Sequence, residues 1–217
     1  MNFKDYIANL EGAIFDFDGT LFDSMYLWDN VVNDSLLALG IEPPTDHRSK
    51  LRNLSVFQAA VYTVERFNLN MTPEEYVNMI NKMVEQYYSC EVLPKEGVPD
   101  FLKKLKDNGV KICIATATDR HHIENALNRC KLRHLISEIF TCSSVGAGKD
   151  NPKIFETALT FLNTDKEKTF VFEDSLYALK TAKAAGFKTV GIFDFSEKNQ
   201  QELKSTADFY IDTFIQF

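Results

Sequence analysis

The chain lacks the segments that are typical of nucleic-acid-binding, membrane and secreted proteins. It has no block of basic residues, and its formal net charge is −7, so we expect neither a nucleic acid nor a membrane surface as its main partner. No stretch is long and apolar enough to span a bilayer, and the first residues show no secretory signal. We therefore expect a cytoplasmic protein, for which no feature of the sequence indicates a protein partner.

Cysteine is also scarce, and repeats and low-complexity segments are missing. The four cysteines are Cys90, Cys113, Cys130 and Cys142. None of them has the CxxC spacing of a metal or redox site. We expect four reduced thiols in or near the core, without a disulfide and without a metal.

The hydrophobic periodicity changes along the chain. Residues around 11–17 form a short apolar strand, residues 26–88 have helical periodicity, and the segment 93–99 breaks the helices. Strands and helices alternate from there to the C-terminus. This alternation predicts an α/β fold, a Rossmann-like parallel sheet with helices on both faces, which is interrupted by an inserted α-helical cap domain. We place the core at residues 1–22 and 91–217 and the cap at residues 23–90.

Two carboxylates directly follow the first strand. Alternate residues of an extended segment point to the same side, so Asp16 and Asp18 can converge as the strand ends. Gly19 then allows a sharp turn. Two carboxylates this close repel each other, which favours a cation or a cationic side chain between them. An ordinary Asp-Gly turn that closes a strand is the alternative interpretation.

Further polar side chains come at the ends of other predicted strands. Thr116 follows one strand, Lys149 lies between a strand and a helix, and Glu173 and Asp174 follow a third strand. Each has a structural alternative: a β-branched strand end, a solvated loop lysine and an acidic helix start. The C-terminal edge of an open α/β sheet is, however, where its ligands bind. Acids, a hydroxyl and an ammonium together are the groups that phosphoryl transfer with a metal ion requires.

These residues resemble the four motifs of the haloacid dehalogenase (HAD) superfamily. The motifs read Asp16-Phe17-Asp18-Gly19-Thr20-Leu21, Thr116, Lys149 and Glu173-Asp174-Ser175. The stretches 149–155 and 172–175 are similar to those of its β-phosphoglucomutase-like branch, in which a helical cap follows the first motif. The resemblance implies a Mg²⁺-dependent phosphatase that acts on a small-molecule phosphate ester, for example a sugar phosphate.

The resemblance also implies a role for each motif residue. Asp16 is the expected nucleophile, ionised at pH 7, and Asp18 the expected general acid and base. Asp16, the backbone carbonyl of Asp18, and Asp174 are expected to bind Mg²⁺, with Glu173 as a direct or water-mediated ligand. The remaining two residues are expected to act on the phosphoryl group, Thr116 by hydrogen bonding and Lys149 by neutralising charge.

Three other activities are alternatives to this one. Dehalogenases of the superfamily lack the second Asp and need no metal, whereas Asp18 and Asp174 are both present. Mutases of the branch carry a His after the first motif and an Arg in the cap, where this chain has Trp28 and Val56. A phospho-accepting signalling domain uses similar residues but is shorter and has no helical insertion. In the cap, Trp28 and Arg52 are candidates for substrate binding, although the cations around Arg52 also fit a solvated helix face.

Overall fold

The computed structural model describes residues 7, 9–51 and 56–217. These residues form two compact units. The core unit consists of the described residues up to Ser24 and of residues 92–217, and the helical unit consists of the described residues between 25 and 91. The domain boundaries expected from the sequence, at 22/23 and 90/91, remain a proposal. No helix among the described residues is long and apolar enough to cross a membrane.

Eight strands occur in the described residues. They are β1 (Gly12–Phe15), β2 (Phe22–Asp23), β3 (Leu93–Pro94), β4 (Lys111–Thr116), β5 (Glu138–Thr141), β6 (Thr169–Glu173), β7 (Lys188–Ile192) and β8 (Phe209–Ile211). Six of them form a parallel sheet in the order β5-β4-β1-β6-β7-β8. The other two, β2 and β3, form a small antiparallel pair that the sequence analysis did not predict.

In the described part of the chain, four helices lie between β2 and β3, and the helices after β3 alternate with the strands of the parallel sheet. The helices are α1 (Met25–Ala38), α2 (His47–Leu51), α3 (Val56–Phe67), α4 (Pro73–Cys90), α5 (Val98–Asp107), α6 (Arg120–Arg129), α7 (Cys142–Val145), α8 (Lys153–Leu162), α9 (Leu176–Ala184) and α10 (Gln200–Thr206). Short 3₁₀ turns lie at Arg133–Leu135, Lys166–Lys168 and Phe214–Gln216.

Helices cover both faces of the parallel sheet. On one face, Ile14 of β1 packs in a buried cluster with Phe155 of α8 and Ala178 of α9. On the other face, the ring of Phe15 stacks on Phe172 at 4.1 Å between centroids, and Phe101 of α5 meets Phe15 edge-on at 6.3 Å. Because successive residues of a strand point to opposite faces, these contacts place helices on both sides. The predicted fold class is therefore confirmed.

The helical unit is held together by α4, which packs against α1 and α3. Its start is well defined, because Thr72 and Glu75 form a reciprocal capping box with Pro73 as the first helical residue. Its buried residues recur at every fourth position: Tyr76, Ile80, Val84 and Tyr88. At the other end of the helix Cys90 is exposed, which contradicts the expectation that all four thiols lie in or near the core.

Candidate active site

The strand ends bring three of the four predicted acids together. β1 pairs with both β4 and β6 in parallel register, so that Phe15 lies opposite Phe172. The backbone N–H of Asp16 donates to the carbonyl of Phe172 at 2.9 Å, which continues the ladder by one residue. Asp16 therefore lies beside Glu173 and Asp174 at the C-terminal edge of the sheet. Gly19, with φ +75°, then provides the predicted turn.

Lys149 reaches this acid group from the loop between α7 and α8. Its ammonium contacts the Oδ1 oxygen of Asp16 and lies 2.7 Å from the Oε1 oxygen of Glu173. The lysine side chain is only 3% exposed, and a lysine is seldom buried so fully unless it is paired with acids. The structure therefore excludes the alternative that Lys149 is a solvated loop lysine.

Asp16, Glu173 and Asp174 form a group suited to a metal ion. Each offers a carboxylate oxygen, and the three oxygens lie within 4.8 Å of one another. The hydroxyl of Thr20 donates to the Oδ1 oxygen of Asp174 at 2.9 Å and orients that carboxylate. With one ammonium for three buried carboxylates, the group keeps a net negative charge. Several carboxylate oxygens are the donor set that a hard divalent cation such as Mg²⁺ prefers.

Burial and mutual repulsion shift the titration of these groups. Burial, followed by the charge of Glu173, raises the pKa of Asp16 to about 6, against the attraction of Lys149. Burial and the charge of Glu173 also hold the pKa of Asp174 well above its usual range. Burial alone would lower the pKa of Lys149, but the charges of Asp16 and Glu173 outweigh it and raise that pKa. Without a metal ion, Asp16 is thus a weaker acid than its sequence position predicts, although it is still mostly ionised at pH 7.

Asp18 is held separately from this acid group. Its Oδ1 oxygen accepts a hydrogen bond from the hydroxyl of Ser24 at 2.5 Å, and its Oδ2 oxygen accepts one from the hydroxyl of Thr118 at 2.6 Å. The three-carboxylate group does not include its side chain. The two carboxylates of the first motif therefore have different surroundings, one beside an ammonium and the other between two hydroxyls.

Thr116 is the last residue of β4 and is fully buried. Its hydroxyl oxygen accepts a hydrogen bond from the backbone N–H of Thr118 at 3.1 Å. Thr118 in turn donates to Asp18. Thr116 is thus connected, through one residue, to the second carboxylate of the first motif.

Of the two candidates for substrate binding in the cap, Trp28 lies within the described residues and Arg52 does not. Trp28 lies on α1 in the helical unit, half-buried, and its indole N–H donates to the hydroxyl of Tyr88 at 3.2 Å. Arg52 lies outside the described residues, as does the side chain of Val56 at the start of α3.

Three hydroxyls that orient the acids were not predicted from the sequence: Thr20, Ser24 and Thr118. Thr20 and Ser24 lie in or just after the first motif, and Thr118 comes two residues after Thr116. A serine or threonine within a few residues of a motif residue in the sequence therefore indicates a hydroxyl that orients a catalytic acid. This signal is weak, because serine and threonine also occur at these places as turn and cap residues.

Comparison with known proteins agrees with the geometry. The family model of haloacid dehalogenase-like hydrolases matches residues 13–192, and the chain belongs to this family. The resemblance inferred from the four motifs is therefore confirmed.

Individual relatives are more distant. The protein CbbY of Cereibacter sphaeroides is 27% identical, with 94% of this chain and 93% of that protein covered. A phosphorylated carbohydrates phosphatase of Thermotoga maritima is 24% identical, with 83% and 84% covered. The crystal structure of a β-phosphoglucomutase-like protein from Thermotoga maritima superposes with a TM-score of 0.82 at 23% identity and covers 93% of this chain and 94% of that one. At this identity the structural likeness shows the fold.

Proposed function

We propose that the chain is a Mg²⁺-dependent phosphatase that hydrolyses a small phosphorylated metabolite through an aspartyl phosphate on Asp16. The observation that carries this proposal is the contact between Lys149 and Asp16 within the three-carboxylate group. An ammonium there offsets the repulsion between an attacking carboxylate and a phosphate dianion. A carboxylate nucleophile beside cations is the arrangement that phosphoryl transfer to a side chain requires.

Asp16 and Asp174 would hold the metal ion, together with the backbone carbonyl of Asp18. Glu173 would add a direct or water-mediated contact. When bound, Mg²⁺ would neutralise charge on the phosphoryl oxygens and hold the phosphate in line with Asp16. Mg²⁺ would also favour the ionised form of Asp16, whose pKa burial raises.

The reaction has two steps on this chain. In the first, a carboxylate oxygen of Asp16 attacks phosphorus, the bond from phosphorus to the leaving oxygen breaks, and Asp18 gives its proton to that oxygen. In the second, Asp18 takes a proton from a water molecule that attacks the phosphorus of the aspartyl phosphate. This releases inorganic phosphate and restores Asp16. Thr116 would donate to a phosphoryl oxygen, and Lys149 would offset charge in both steps.

The name of one relative supports the proposed substrate class. The Thermotoga maritima relative is named for phosphorylated carbohydrates, so a sugar phosphate or a similar phosphomonoester is the proposed substrate. Trp28 and Arg52 of the cap are proposed to contact the leaving group, because an inserted cap supplies the part of such a site that closes over the substrate. A cytoplasmic location belongs to the same proposal.

The proposal is tested by measuring phosphate release from a panel of phosphate esters, including p-nitrophenyl phosphate, with Mg²⁺ and with EDTA. We expect activity in Mg²⁺, none in EDTA, and a loss of at least ~10³-fold in both Asp16→Asn and Asp18→Asn, as for the removal of a nucleophile or a general acid. Asp100→Asn, an exposed acid on α5, is the matched control. Unchanged activity in Asp16→Asn would refute the mechanism.

The mutase of the same branch and the phospho-accepting signalling domain are the alternatives. Incubation with β-glucose 1-phosphate separates the mutase, which forms glucose 6-phosphate, from the phosphatase, which releases inorganic phosphate and glucose. The lifetime of phospho-Asp16 distinguishes the third activity. An enzyme turns the phosphoform over many times, whereas a signalling domain accumulates it.

A further inference from the structure

A cavity lies within the core unit, at the C-terminal ends of β7 and β8. Its volume is about 210 Å³. Phe193 and Asp194, which follow β7, form one part of its wall, and Asp212 follows β8. Asp23 of β2 and two residues after β3, Lys95 and Glu96, also line the cavity. None of the acids of the candidate active site lines this cavity.

The cavity wall carries uncompensated negative charge. Four acids and one lysine line it, a net charge of −3. The lysine is already neutralised, because the ammonium of Lys95 lies 2.8 Å from the Oδ2 oxygen of Asp194 and donates to the carbonyl of Phe193 at 2.6 Å. Among the described residues, the carboxylates of Asp23, Glu96 and Asp212 have neither an ion pair nor a hydrogen bond.

Two exposed apolar side chains lie beside the cavity. Phe195 is 86% exposed, more than the other large hydrophobic side chains of the described residues, and its ring meets that of Phe193 edge-on at 4.8 Å. Leu93 is also exposed and lies directly opposite Asp23 in the antiparallel pair. Directly opposite residues of such a pair share one face. Exposed apolar side chains next to a cavity are typical of binding surfaces.

Size and charge together select the occupant. The volume is below the roughly 300–1,000 Å³ of sites for drug-sized ligands, which favours a single side chain as the occupant. A guanidinium suits both the carboxylates and the aromatic rings that line the cavity, because it pairs with carboxylates and stacks on aromatic rings. The same face of a second copy of this chain carries the same negative charge and would be repelled.

We infer that this cavity docks an arginine side chain of a partner protein, on a segment whose neighbouring apolar residues cover Phe195 and Leu93. The anchor enters the cavity between Asp23, Glu96 and Asp212, and the flanking residues exclude water from the rim. Such a central charged anchor with an apolar surround is the common arrangement of an interface hot spot.

The test is an NMR titration of the ¹⁵N-labelled full chain with acetyl-Leu-Arg-Phe-amide. The matched control peptide replaces arginine by citrulline, which has the same shape without the charge. We expect saturable shifts confined to the amides of Leu93, Lys95 and Glu96 and of residues 193–195 and 212–214, with a dissociation constant on the order of 1 mM. The citrulline peptide binds at least about fivefold more weakly, since only one charge is removed.

Two surface variants test the location. Phe195→Ser and Asp212→Asn alter exposed side chains outside the candidate active site, so we expect unchanged phosphate release and weaker peptide binding, by about threefold or more. Equal binding of the two peptides, shifts spread over the surface, or unchanged binding in both variants would overturn the inference. The inference would also be overturned if spermidine bound as tightly as the arginine peptide. The same holds if sedimentation showed that the unmodified chain forms a dimer and that Phe195→Ser does not.

Discussion

The ammonium of Lys149 lies 2.7 Å from the Oε1 oxygen of Glu173, and both side chains are buried. The other carboxylate oxygen of Glu173 accepts hydrogen bonds from the backbone N–H of Ser175 at 3.2 Å and from its hydroxyl at 3.3 Å. Both oxygens of Glu173 are thus engaged. Glu173 thereby holds Lys149 in place against Asp16, the proposed nucleophile.

Replacing Lys149 by methionine removes the only cation of this group among the described residues. We expect phosphate release to fall at least ~100-fold, the usual effect of losing a group that stabilises transition-state charge. In EDTA we also expect the free energy of unfolding to fall by roughly 3–5 kcal/mol, because Asp16 and Glu173 stay buried and lose their ion pairs with Lys149. Urea denaturation and a phosphate assay measure the two effects. Lys153→Met, an exposed lysine on α8, controls for the loss of a surface charge, and normal activity in Lys149→Met would contradict the proposed role.

Mg²⁺ should stabilise the folded chain. Three carboxylates converge with one ammonium, so a divalent cation relieves their repulsion and binds the folded form in preference to the unfolded one. We expect the melting temperature to rise with Mg²⁺ concentration and to fall in EDTA. In Asp174→Asn the dependence on Mg²⁺ should largely disappear, whereas Asp100→Asn should retain it. If the melting temperature of the unmodified chain does not change with Mg²⁺ concentration, the three-carboxylate group is not a Mg²⁺ site.

Ser24 and Thr118 are expected to position Asp18 for proton transfer. Each hydroxyl donates to a different oxygen of that carboxylate. Removing one in Ser24→Ala or Thr118→Val should lower kcat about tenfold and change KM much less, because misplaced catalytic groups affect the chemical step. Thr118→Ser, which keeps the hydroxyl, is the rescue control. Equal losses in Thr118→Ser and Thr118→Val would assign Thr118 a packing role.

His47 should make the stability of the helical unit depend on pH. Its side chain is buried, and neither ring nitrogen has a hydrogen-bond partner among the described residues. Burial, and then the charge of Arg66, lowers its pKa below 6.5, while Asp46 acts in the opposite direction. Below about pH 6.5 His47 therefore binds a proton more readily in the unfolded chain than in the folded chain. We expect the free energy of unfolding to fall as the pH drops through this range, with a slope of at most about 1.4 kcal/mol per pH unit from this residue.

The fluorescence of Trp28, the only tryptophan of the chain, reports on this unit. His47→Leu should flatten the pH dependence of its unfolding midpoint below pH 6.5. A variant with the same slope as the unmodified protein would show that other groups cause it.

The four thiols should react at different rates. Burial raises the pKa of Cys113 to about 12, so this thiol carries almost no thiolate at pH 8 and is out of reach of reagents. Cys90 is exposed. With Ellman's reagent we expect one fast thiol, which disappears in Cys90→Ser, and Cys113 to react only after unfolding. A fast phase that persists in Cys90→Ser would contradict this order.

The fold class was predictable because local signals agree along the chain. Alternating strand and helix periodicity after residue 99 predicts a parallel sheet, and the capping pattern at Thr72–Glu75 marks the start of α4. The small β2–β3 pair was missed because each strand has only two residues and pairs across about 70 positions of sequence. So short a segment has no measurable periodicity.

The site candidates could be chosen from the sequence because each lies at the end of a predicted strand or in the segment after it, and strand ends share one edge of a parallel sheet. They are Asp16, Asp18, Thr116, Lys149, Glu173 and Asp174. What the sequence by itself determined was therefore the set of chemical groups and the edge at which they lie. Only the tertiary structure decided which groups touch: Lys149 with Glu173, and Asp18 with Ser24 and Thr118. The physical reason is that hydrogen bonds act over about 3 Å, whereas strand order places side chains only to within the spacing of neighbouring strands.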